Sequence, residues 1–173
     1  MPPSRKKAIV RLHDRTCAVG YLEPIGFVRE ASIEMLDLAG KVQSISLAHA
    51  KWVCFVRDFN SGEPLNPERL LHVSFSGRPR QAGLWLRLRL RDGELLEGVA
   101  ANDATLLDPD GLFLTPPDTR SNTQRIFLPR LSIAGLEVVS VIGGSIAAAR
   151  RKPPQGEPLR PQQSLFDRTG SEN

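Results

Sequence analysis

At 173 residues and 40% hydrophobic, with 14 glycines and 14 prolines, the chain has apolar content for a core and many turns. Its net charge of +4 sits at the ends: residues 1–7 carry +3, residues 144–173 hold five basic against three acidic side chains, and residues 8–143 sum to −1. A body that grips phosphate backbones nonspecifically has the opposite distribution, so bulk charge argues against that class.

Residues 1–7 form a basic N-terminal arm with Arg5, Lys6 and Lys7. No apolar stretch with a cleavage site follows it, and no run approaches the ~20 apolar residues of a membrane span. A cytoplasmic protein without membrane contact is expected.

Residues 8–59 read as short strands. Ala8 to Gly20 is an alternating strand, a turn centred on Asp14 and a second strand ending at Gly20. Alternation puts Val10 and Leu12 on one buried face. Ile33–Leu36, Ser44–Leu47 and Trp52–Val56 complete a set of five strands. Cys17 and Cys54 lie in apolar runs without C-x-x-C spacing, as buried thiols in a reducing compartment do.

Residues 60–83 read as a linker. Asn66 followed by Pro67 predicts a short helix through Leu71, with Asn as cap and proline in the first turn. Val73–Phe75 reads as an extra strand.

Residues 84–143 repeat the first pattern. Seventy-eight residues on, Leu88 matches Val10, Leu90 matches Leu12, Asp92 matches Asp14 and Gly98 matches Gly20. Asp92-Gly93 predicts a tight hairpin, since glycine readily takes the positive φ such a turn needs. Arg15 replaces that glycine in the first copy, which predicts a different turn there. Leu112–Leu114, Arg125–Leu128 and Leu136–Ile142 supply the remaining strands. Residues 144–173 begin with an alanine-rich stretch suited to a helical extension over 145–151. From Pro153 on, the segment is a Pro/Gln-rich tail, expected to be disordered because it cannot build a core.

The run Leu90-Arg-Asp92-Gly93-Glu-Leu-Leu-Glu-Gly98 resembles the first half of the Sm-like motif: an apolar strand, an Asp-Gly turn and a glycine where the second strand bends sharply. Over most of its length the chain also resembles a bacterial family of unknown function with this tandem arrangement. The resemblance implies an all-β protein of two tandem five-stranded Sm-like (SH3-like) small barrels. It does not extend to the uridine pocket. Where that signature has an Asp followed four residues later by Asn, Asp103 is followed by Leu107, and Leu128-Pro129-Arg130-Leu131-Ser132 replaces the Arg-Gly-Asn run.

Three segments are candidate sites. Arg87, Arg89 and Arg91 alternate with leucines and share a face with Trp85, an arrangement that follows a phosphate backbone and stacks a base. Alternation alone also predicts polar outward residues, with the arginines pairing to Glu94 and Glu97. The loop from Pro116 to Arg125 is long and polar, and Arg120, Asn122, Gln124 and Arg125 are placed to read a ligand. Prolines and Asx turns explain the same loop structurally. In the tail, Gln162, Leu165 and Phe166 resemble the sliding-clamp peptide of bacterial replication and repair proteins, with Gln163 in place of its second-position leucine. The same Leu165-Phe166 pair is also suited to folding back onto the body.

Catalytic chemistry is not expected. His13, His49 and His72 are scattered, Asp14 and Asp92 read as turn residues, and no nucleophile elbow or phosphate loop occurs. Arg11 and Arg15 match half of the cyclic-dinucleotide motif of PilZ domains, but the other half is missing. The expectation is a non-enzymatic interaction or adaptor module with a partner-docking tail, without cofactor or metal. The alternative is a small RNA- or single-strand-nucleic-acid-binding protein. The sequence leaves the oligomeric state open.

Overall fold

The computed structural model describes residues 4–59, 62–118 and 120–143. It is all-β and antiparallel. The strands are β1 (Lys6–Leu12), β2 (Cys17–Leu22), β3 (Val28–Arg29), β4 (Ser32–Asp37), β5 (Val42–Ser46), β6 (Ala50–Val56), β7 (Gly83–Leu90), β8 (Leu95–Ala100), β9 (Gly111–Leu114), β10 (Thr123–Pro129) and β11 (Ile133–Ile142). Two 3-10 turns lie at Ala104–Leu107 and Arg130–Ser132. No described helix is long and apolar enough to cross a membrane.

The two halves share one pairing scheme. Ala8 faces Gly20 in β1·β2, and Leu86 faces Gly98 in β7·β8. Val10 faces Val53 in β1·β6, and Leu88 faces Leu136 in β7·β11. The turns agree as well. Leu12 N–H donates to Thr16 O at 2.9 Å, and Leu90 N–H to Glu94 O at 2.8 Å. Arg15 sits at φ 73° where Gly93 sits at 87°. The different turn expected from Arg15 is therefore corrected: the arginine takes the left-handed conformation, and its carbonyl accepts from the Arg11 guanidinium at 2.8 Å. Gly20 is needed for close approach, because a Cβ there would lie 2.4 Å from Leu36 O.

The halves do not form separate sheets. An eight-stranded sheet runs β3-β4-β2-β1-β6-β10-β9, with β5 on β4, and a three-stranded sheet runs β11-β7-β8. The second half is thus divided, and a single bridge, Val99 to Thr115, links β8 to the end of β9. The pairing of β10 on β6 joins the halves.

That seam corrects the one-faced reading of β1. Ala8, Ile9 and Val10 are each at most 1% exposed. Ala8 and Val10 join Val53 and Phe55 in the first core, while Ile9 joins Trp52, Cys54 and Val56 in the second. Strands β1, β6 and β10 form a wall buried on both sides. Phe127 of β10 crosses into the first core, 5.1 Å from the Phe27 ring.

The linker carries two further corrections. Asn66–Leu71 is a pair of turns and no helix: Asn66 N–H donates to Glu63 O, and Arg69 N–H to Asn66 O. Pro67 O accepts from Asn122 Nδ2 at 3.0 Å and Glu68 O from Thr123 Oγ1 at 2.6 Å, so side chains take carbonyls a helix would use itself. Val73–Phe75 is no strand either; it is fastened to β8 through Glu97, whose N–H donates to Val73 O and whose Oε2 accepts from Phe75 N–H. The helical extension expected over 145–151 lies outside the described residues.

Candidate functional site

On the arginine face, Arg87 is held by two carboxylates. Arg87 Nε donates to Glu97 Oε1 at 2.9 Å, and its Nη1 to Glu137 Oε2 at 3.3 Å. Glu97, only 6% exposed, also accepts from Trp85 Nε1 at 3.2 Å. Burial raises the Glu97 carboxyl, but donors from Phe75, Arg87 and Trp85 outweigh it and hold the group below its ordinary range. Trp85 packs edge-on against Phe75. The expected partner Glu97 is found, whereas Glu94 turns to Lys51. Arg89 and Arg91 remain exposed and stand outside the ion pairs of the described residues.

The 116–125 loop is built into the body. Asn122 accepts from Asp58 N–H at 2.9 Å and donates to Asp58 O at 2.7 Å as well as to the linker. The Arg125 guanidinium lies 3.8 Å from the centre of the Phe113 ring, a cation–π contact. Arg120 and Gln124 are exposed. Asn122 and Arg125 thus have structural roles, and the loop pins the linker between the halves. The motif Gln162, Leu165 and Phe166 lies outside the described residues.

A cleft of about 1060 Å³ lies between the β1–β2 turn, the linker and the β7–β8 turn. Arg11, Glu68, Lys51, Asp92 and Glu94 in its lining are already paired with one another. Glu68, 2% exposed, accepts from Arg11 Nε at 2.9 Å, from Arg11 Nη2 at 2.6 Å and from Trp52 Nε1 at 3.4 Å. Lys51 bridges Asp92, at 2.5 Å, and Glu94. Burial, foremost, pushes the nearby Cys17 thiol up to about 11, which disfavours the reactive thiolate. Among the described residues no buried side-chain polar atom lacks a partner, and no group of three or more His, Cys, Asp or Glu side chains is placed to hold a metal. The cleft is a neutralised seam.

What remains open is an edge. Val53 and Leu136 occupy equivalent positions, as do Phe55 and Val138. Val53 is 0% and Phe55 8% exposed, whereas Leu136 is 44% and Val138 51% exposed. The difference is the neighbouring strand. β6 has β10 along its second edge; β11 pairs only with β7 among the described residues. The ten-residue β11 therefore presents unpaired backbone groups beside uncovered core-facing side chains, the combination to which another strand adds.

A family model matches residues 4–140, which takes in both halves and the linker. The chain belongs to a family of unknown function, DUF6982. The family match ends inside β11 and leaves out the Gln162–Phe166 motif. No curated protein and no solved structure matches the chain.

Leu136 and Val138 were not among the residues singled out from sequence. Alternation does place them on the core side with Leu86 and Leu88. Their openness depends on which strand lies beside β11, and no local pattern encodes that.

Proposed function

We propose that this chain is a non-enzymatic protein-interaction module, an adaptor of two small Sm-like barrels that docks a partner along β11. The observation that carries the reading is the contrast between Val53 and Leu136, one position with its neighbour strand and one without. The strand orders support the barrel assignment: β5-β4-β2-β1-β6 in the first half has its counterpart in β10-β9-β8-β7-β11, with β8 and β9 meeting at one bridge. Five short strands in that order suit a strongly bent small barrel. The paired state of Arg87, Lys51 and Arg11 favours a protein partner over a polyanion. The tail segment Gln162, Leu165 and Phe166 supplies a second docking element, and its likeness to the clamp-binding peptide makes a sliding clamp one partner class.

Affinity capture from the native cell tests this, with full-length chain compared against Val138→Lys and against Arg89→Ala with Arg91→Ala. Because Val138 is an exposed edge residue, its lysine variant should keep the thermal stability of the parent while losing a protein partner. Identical captured sets would overturn the reading. A ribonuclease-sensitive capture lost only in the double arginine variant would transfer the function to nucleic-acid binding, the alternative that the exposed Arg89 and Arg91 favour.

A further inference from the structure

The strand that fills the β6 edge has a counterpart in the tail. Along β10 the sequence reads Gln124-Arg125-Ile126-Phe127, and in the tail it reads Gln163-Ser164-Leu165-Phe166. In β10·β6, Phe127 lies opposite Val53, Ile126 opposite Cys54 and Arg125 opposite Phe55. Phe127 then covers the first core together with Phe27, Phe55 and Phe113. The β11 positions equivalent to Val53 and Phe55 are the uncovered Leu136 and Val138.

We propose that residues 163–166 add to the free edge of β11 in the same chain, antiparallel to it, with Phe166 opposite Leu136 and Ser164 opposite Val138. The proposal rests on the reading of β11 as a docking edge and names its resident occupant. The reach is sufficient: the residues between Gly143 and Gln163 span on the order of 60 Å when extended, against roughly 33 Å for a ten-residue strand. Phe166 covers Leu136 as Phe127 covers Val53, and the backbone groups of β11 gain the partners that those of β6 already have. A partner's strand arriving at β11 must displace this segment. The tail thereby sets a threshold for docking, since a segment of the same chain competes at high local concentration.

Disulfide trapping in the full chain tests the assignment. Val138→Cys with Ser164→Cys joins two positions opposite each other in the proposed register, and Val138→Cys with Gly156→Cys is an off-register control with a similar tether. The first pair should close an intramolecular disulfide about tenfold faster than the control, because docking raises the local concentration of the facing thiol. Adding Phe166→Ser to the first pair should bring its rate down to that of the control. Val138 is half exposed, so its cysteine variant keeps the fold. Equal rates for the two pairs, no effect of Phe166→Ser, or a link formed only between two chains would overturn the proposal. If trapping fails while Val138→Lys still loses its partner, β11 remains a docking edge and only its resident occupant is wrong.

Discussion

Glu68 is the carboxylate on which the joint between halves and linker depends. It is buried, and it satisfies two Arg11 donors and the Trp52 indole at once. Replacing it with alanine leaves the Arg11 guanidinium, itself 14% exposed, without its counter-charge in a low-dielectric seam. Glu68→Ala should therefore lower unfolding free energy by about 3 kcal/mol in a denaturant titration, with Arg11→Met in the same background recovering part of the loss. A change within experimental scatter would mean that solvent reaches the pair freely. None of this was legible in the sequence: Asn66-Pro67-Glu68 reads as a helix start, and its partners Arg11 and Thr123 lie more than fifty positions away on either side. The arginine face was partly legible, because alternation gave the outward side of β7 and composition supplied Glu97 opposite Arg87. Nothing in the sequence separated Arg87, which is held, from Arg89 and Arg91, which are not.

At the level of elements, the first hairpin carries a strained residue that the second avoids. Arg15 holds φ 73° in the turn where the other copy has Gly93 at 87°. A non-glycine residue in that conformation costs roughly 1 kcal/mol, so Arg15→Gly should stabilise the chain by about that much in equilibrium unfolding. An unchanged or lowered midpoint would show that the Arg15 side chain gives back as much as its backbone costs. The strands of the two halves were readable because period-two alternation and glycine punctuation are local signals, and each strand expected there from Ile33–Leu36 to Leu136–Ile142 overlaps an observed one, whereas the strand expected in the linker at Val73–Phe75 does not form. The two-residue β3, which pairs Val28 with Ile33 across a tight turn, was missed because it is too short to show a period. The helix expected at Asn66–Leu71 was misread because the Pro67 and Glu68 carbonyls are taken by the distant Asn122 and Thr123.

Across the described residues, two halves with one pairing scheme have unequal neighbours. Strands β1, β6 and β10 form a wall with a core on each side, so the halves share their stability instead of each folding around a private centre. The sequence showed the repeat, since Asp14 and Asp92 sit at the same step of the same pattern. It did not show the seam, because β10 reads as an ordinary strand of its own half and Phe127 as an ordinary core residue. The seam gives the β6 edge its covering and leaves the equivalent β11 edge without one, and the proposed function follows from that asymmetry. Residue-resolved amide hydrogen exchange on the full chain carrying Phe166→Ser compares the two edges directly. The amides of β6 that face β10 should exchange only with global unfolding, and the amides of β11 directed away from β7 should exchange as an open edge does, at least about a hundredfold faster. Outward β11 amides protected as strongly as those of β6 would contradict the account, because the edge on which docking depends would then already be filled.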